Sequence, residues 1–328
     1  MKPTTIVLSI AMLAVAAPAM ADWQPDKPLE FVVGAGPGGG TDQFGRALQL
    51  IIEKYKLVDV PVVVSNKPGG AGAETFVYGK MSGGDPHKLL FGNNNAWLLP
   101  LKAKVGYAMD ELTPIAAMAG DEFILWVKGD APYDTPAELI EASKTSGPFT
   151  MGGTQSKDGD QILTEMIMEK SGAKFTYVPF KSGSEAAAQL AGGHIVANTN
   201  NPSENVGQWK AGAVKPLCVF DSSRMTDTTK VTETMAWSDI PTCAESGLDI
   251  VDYLLPRTIF VAGKLTADQL GFYEKLLTEA REKPEWQDYI ARTGQTDVFL
   301  TGTDFQGLIE RDADTSRVLF ERKGWLVE

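Results

Sequence analysis

The sequence is poor in the residues that metal and thiol chemistry need: two cysteines, Cys218 and Cys243, and two histidines, His87 and His194, in 328 residues. They are scattered along the chain, so no cluster has metal-ligand spacing, and neither a metal nor any other cofactor is expected. Basic side chains are outnumbered, 30 against 42 acidic, for a net charge of −12 with no basic run. That balance argues against a nucleic-acid partner. Long apolar runs are missing except at Ile6–Ala17. This run follows Met1-Lys2, precedes the A-x-A pattern Ala19-Met20-Ala21, and is too short to span a bilayer comfortably. Residues 1–21 therefore read as a cleavable export signal, and a soluble, exported monomer is expected. Disulfides are permitted there. Whether Cys218 and Cys243 are bridged stays open, because sequence does not give their separation.

What is present alternates between strand and helix. Leu29–Val33 reads as a buried strand, and Phe44, Ala47, Leu48, Ile51, Ile52 and Tyr55 then recur on one helical face. Val60–Val64 and Leu89–Phe91 follow as strands of a parallel layer. Thr135-Pro136-Ala137-Glu138 is a capping box with proline at the first helical position. Further helix starts are read at Ser184, Thr266 and Thr303, with a break at Pro284. Two long extended runs lack an internal glycine turn, Ile115–Val127 and Tyr253–Val261. They read as crossings between two α/β lobes: residues 22–122 with 252–328, and residues 123–251.

Gly34-x-Gly36-x-x-Gly39 after the first strand has the form of a dinucleotide clamp. Such a fold needs an acid at the end of the second strand to hold the ribose, and here that strand ends in Ser65-Asn66-Lys67. Asp42 would also repel a pyrophosphate, and Thr41 stands as a good N-cap. No Ser-His-acid arrangement is legible either, so an enzyme is not expected. A second glycine turn, Gly152-Gly153-Thr154-Gln155-Ser156, again joins a strand to a helix. Two such loops could close on a carboxylate from both sides, using backbone N–H groups and helix dipoles that work locally despite the acidic net charge.

The stretches "KPLEFVVGAGPGGGTD", "VVVSNKPGGAGAET", "FTYVPFKSGSEAAAQLAGGHI", "VGQWKAGAVKPLCVF" and "IPTCAESGLDI" resemble the extracytoplasmic receptors of tripartite tricarboxylate transporters, the Bug receptors. The resemblance implies an α/β, two-lobed periplasmic binding protein of type II-like fold. Each lobe would be a doubly wound mixed sheet flanked by helices, joined by crossing strands. It also implies a small organic acid, whether di- or tricarboxylate or aromatic, handed to membrane permease subunits. The family's carboxylate loops fall on Gly38, Gly39, Gly40, Thr41 and Asp42, and on Gly153, Thr154, Gln155 and Ser156. Two stretches depart from the family pattern, "VANTNNPSEN" and the position of Arg257. A sensor subunit for a signalling partner fits the same residues.

Asn198 and Asn200 alternate along an extended segment, where they could bond the far end of a ligand. Arg257 interrupts an apolar strand and needs a carboxylate partner, from the ligand or from the protein. The expectation favours a second ligand carboxylate. Asn93 and Lys181, on further strand-to-helix loops, complete the candidate set.

Overall fold

The computed structural model describes residues 23–327. The export signal read at residues 1–21 lies outside the described residues.

The first third of the chain lays down β1 (Leu29–Val33), α1 (Gly40–Tyr55), β2 (Val62–Asn66), α2 (Ala73–Met81), β3 (Lys88–Gly92) and α3 (Asn95–Lys102). β1 sits between β2 and β3, parallel to both. Its residues alternate between two cores. Leu29, Phe31 and Val33 face Phe44, Leu48 and Ile51 of α1, while Val32 joins Phe76, Leu90 and Trp97 on the opposite face. Both faces are covered, which is why β1 is apolar apart from Glu30.

β4 (Leu112–Glu122) then runs almost directly into β5 (Ile124–Lys128), with Phe123 between them. Although the sequence reads as one extended run, the two strands join different sheets. Glu122 pairs with Leu254, and Ile124 with Val219. The second sheet is built from α4 (Pro136–Thr145), β6 (Phe149–Thr154), α5 (Gly159–Ser171), β7 (Phe175–Phe180), α6 (Gly183–Ala191), β8 (Ala197–Asn198), α7 (Pro202–Lys210) and β9 (Val214–Val219). β10 (Leu254–Ala262) returns the chain to the first sheet. There α8 (Ala267–Arg281), α9 (Pro284–Thr293), β11 (Gln295–Thr296), β12 (Leu300–Thr301) and α10 (Gly302–Lys323) complete it.

The two sheets share one plan. The orders are β2-β1-β3-β10-β4-β11, with β12 also paired to β4, and β7-β6-β8-β5-β9. In each, three parallel strands meet an antiparallel strand that the chain supplies while passing between sheets. Cys218 in β9 and Cys243 form a disulfide with Cα atoms 4.9 Å apart, inside the core of the second sheet. Among the described residues no helix is long and apolar enough to cross a membrane.

Three expected helix starts move. Gly39, not Thr41, is the N-cap of α1, so Thr41 lies in the first turn. Ser182 rather than Ser184 caps α6, its hydroxyl accepting from the Glu185 N–H. Thr303 lies inside α10, whose N-cap is Thr301.

Candidate ligand-binding cleft

The loop after β1 turns at Gly38, whose φ of 80° favours glycine. Asp42 holds this loop from behind. Its carboxylate accepts from Gly38 N at 2.8 Å, Asn66 Nδ2 at 2.8 Å and Arg46 Nε at 2.9 Å. Burial works to raise its pKa, but these donors prevail and keep the carboxyl below its usual range. Asn66 thus stands at the strand end where a dinucleotide fold would need an acid, and it serves the loop instead. α1 itself begins without a side-chain cap, leaving its first N–H groups open.

A cavity of about 290 Å³ lies between the two sheets. Gly36, Gly40 and Thr41 line it from the α1 side, with Asn93 and Asn95 beside them. Thr154, Gln155 and Lys181 line it from the second sheet, and Arg257 and Leu255 from β10. Seven of the expected residues therefore come together here: Gly40, Thr41, Asn93, Thr154, Gln155, Lys181 and Arg257.

The others stand back. Gly38, Gly39, Asp42, Gly153 and Ser156 are outside the lining, Gly38 and Ser156 on the exposed side of their loops. Asn198 and Asn200 are fully buried behind the wall. The Asn200 amide donates to Gly183 O at 2.7 Å and to Asn205 Oδ1 at 2.8 Å, while Asn205 donates to Asn198 Oδ1 at 3.3 Å. From that segment it is Asn201 and Glu204 that reach the cavity. Asp158 and Asp160, at the start of α5, also line it and had no place in the sequence reading. The pattern Asn201-Pro202-x-Glu204 was a signal for a capping box, and the Glu204 carboxylate does accept from Asn201 N at 3.1 Å.

The glycines of this region have a second use. A Cβ on Gly40 would lie 2.3 Å from Arg257 Nη2, one on Gly153 2.4 Å from Asp160 Cβ, and one on Gly183 2.0 Å from Glu204 Cδ. Each glycine makes room for a charged side chain that lines the cleft. Gly153 itself is outside the lining, and its missing side chain leaves room for Asp160.

Arg257 is 7% exposed. Its Nη2 pairs with Asp121, its Nη1 donates to Thr41 Oγ1 at 3.0 Å, and its Nε has no partner. Asp121 is held in turn by Gln295 Nε2 at 2.5 Å. The guanidinium's carboxylate partner is thus a protein side chain, which corrects the expectation of a ligand carboxylate in that position. Across the cleft, Asp160 Oδ2 accepts from the N–H and hydroxyl of Thr154. Burial pushes its pKa up to about 7, against those hydrogen bonds. Glu204, half-buried, is pushed up to about 8 by desolvation, with the nearby Asp160 charge adding to it.

A family model described as the tripartite tricarboxylate transporter family receptor matches residues 46–324. Protein BugT of Bordetella pertussis is 27% identical over 93% of this chain and 91% of its own. A TctC solute-binding protein from Polaromonas, solved without ligand, shares 24% identity and superposes with a TM-score of 0.73 over 91% of this chain and 99% of that one. A protein of R. palustris solved with adipate shares 18% identity, with a TM-score of 0.78 over 92% and 98% of the two chains.

Proposed function

This chain belongs to the tripartite tricarboxylate transporter receptor family, a family of periplasmic solute-binding proteins, and from that premise we propose that it captures an organic carboxylate between two lobes and delivers it to a membrane permease. The lobes are residues 22–122 with 252–328, and residues 123–251. The carrying observation is the start of α1: an uncapped helix N-terminus whose Gly40 and Thr41 open into the cavity beside Arg257. N–H groups and the positive end of a helix dipole attract an anion, and a polar wall across the gap can hold it by direct or water-mediated hydrogen bonds. Asn93, Gln155 and Lys181 are the side chains we assign to that wall. The relative solved with adipate supports an acid of this size class as ligand.

Asp160 and Glu204 titrate near neutrality in the cleft, as general acids and bases do. The family and fold are nevertheless those of receptors, so these carboxyls serve as binding groups. The test is calorimetry of the mature protein against a panel of organic acids, followed by mass analysis of the bound acid. Saturable binding with the acid recovered unchanged supports the reading. Turnover, or no binding by any carboxylate, refutes it.

A further inference from the structure

The second wall of the cleft is held from the side of the first sheet. Thr154 and Gln155 line the cavity, and just after them Lys157 takes a φ of 61°. That is the left-handed region, which residues with a side chain rarely adopt. A residue stays there only when its surroundings outweigh the strain. Its own helix, α5, supplies one support: Lys157 N donates to Gln161 Oε1 at 2.6 Å. Two more come from across the gap. Lys102, the last residue of α3, donates from Nζ to Lys157 O at 2.5 Å. Trp325, just beyond α10, has its ring 5.9 Å from the Lys157 ammonium.

The Lys102 side chain is 6% exposed, and the carboxylate within 4 Å of it among the described residues is Asp158, at 3.9 Å. Burial draws its pKa down, while the charges of Asp158 and of Asp312 on α10 oppose that. A buried ammonium without a close carboxylate depends on its hydrogen-bonded carbonyl. α5 extends the contact. Leu163 and Ile167 enter the core of the second sheet, whereas Ile162 joins Leu319 and Phe320 of α10. Beside them Lys323 of α10 pairs with Glu165, which is 8% exposed.

We propose that Lys102 is a positioning residue for ligand binding: with the Lys323–Glu165 pair it clasps α5 to α3 and α10, and so holds the Thr154–Gln155 wall opposite the start of α1. This rests on the reading of the cleft as the ligand site. None of the three clasp residues lines the cavity, so they act on the ligand only through the wall that they hold. The first sheet thereby governs both sides of the gap, one directly through α1 and the other through Lys157.

The test is hydrogen exchange of the ligand-free mature protein, read by mass spectrometry. The Thr154 N–H is bonded to Asp160 and the Lys157 N–H to Gln161, so both amides report whether the wall keeps its shape. Lys102→Met should speed exchange over residues 154–157 by about tenfold while β1 and β3 stay within about twofold. Lys102→Arg, which keeps a cation in place, should stay within about threefold of the wild type throughout. Lys323→Glu, at a more exposed position, should speed the same segment even if Lys102→Met does not fold, and adding Glu165→Lys should restore most of the protection. Exchange unchanged over 154–157 in the single variants, or raised equally in β1 and β3, overturns the proposal. So does a charge-swapped pair no better protected than Lys323→Glu alone. In calorimetry with adipate, succinate and glutarate, any acid that the wild type binds should lose about tenfold in affinity with Lys102→Met, and unchanged affinity also overturns the proposal. The exchange arms use no ligand, so their failure leaves the carboxylate reading standing, and the absence of any acid binding would refute that reading while exchange still decides the clasp.

Discussion

Gly40 and Arg257 occupy one space: a side chain on the glycine would put its Cβ 2.3 Å from the guanidinium Nη2. The first residue of α1 and the middle of β10 are therefore fitted to each other although they lie far apart in sequence. Gly40→Ala should destabilise the protein by about 1–3 kcal/mol through overpacking, read by urea unfolding. In an Arg257→Ala background the same substitution should add almost nothing. A full additive cost in the double variant would show that the glycine is needed for some other reason.

Arg257→Met leaves Asp121 buried and facing only Gln295. A loss of about 3–5 kcal/mol of stability is expected, the scale for an orphaned buried charge. Binding of a monoacid and of a diacid should then fall together, because the guanidinium serves the protein's own pair. A loss confined to the diacid would restore the sequence-based expectation that Arg257 reads a second ligand carboxylate.

The disulfide joins residues 25 positions apart in the core of the second sheet. Reduction should cost about 3.5 kcal/mol on the chain-entropy account, measured as a shift in urea midpoint. Neither cysteine lines the cleft, so the reduced protein, while folded, should bind its ligand with unchanged affinity.

The raised carboxyls set a pH dependence. Asp160, Glu204 and Glu122 hold protons up to about 7, 8 and 8, whereas the unfolded chain releases them in the ordinary carboxylate range. The folded form thus binds more protons between these limits, and stability falls as pH rises from about 4.5 to about 8. The melting temperature of the ligand-free protein should drop across that window, and Glu204→Gln should flatten the drop. A melting temperature that rises through the window would mean that these groups ionise freely in the folded state.

Much of the fold was legible because local patterns carry it. The apolar run of β1, the stripe of Phe44, Leu48 and Ile51, and the Thr135 and Thr266 capping boxes all stand as read. The break at Phe123 was hidden, since both halves of the run are extended and buried, and only their partners differ. In the cleft, the glycine loops pointed to residues that line the cavity between the sheets, but they gave only part of its lining. Room for Arg257 and Glu204 is a property of residues far apart in sequence, and no local pattern reports it. Asn198 and Asn200 had the alternation of a binding segment, yet they serve the buried amide network with Asn205.

The pairing of β10 with both β3 and β4 fixes when the first sheet can be finished. β3 comes off the ribosome at Gly92, but its outer partner ends at Ala262. Until then β3 offers a bare edge, and β4 has none of its final neighbours, since β11 and β12 come later still. Bare edges recruit other chains, and pairings this distant form slowly. A growing or truncated chain that stops short of β10 is thus exposed to misassembly through its earliest strands, and the second sheet, whose strands are complete by Val219, is free to mature first.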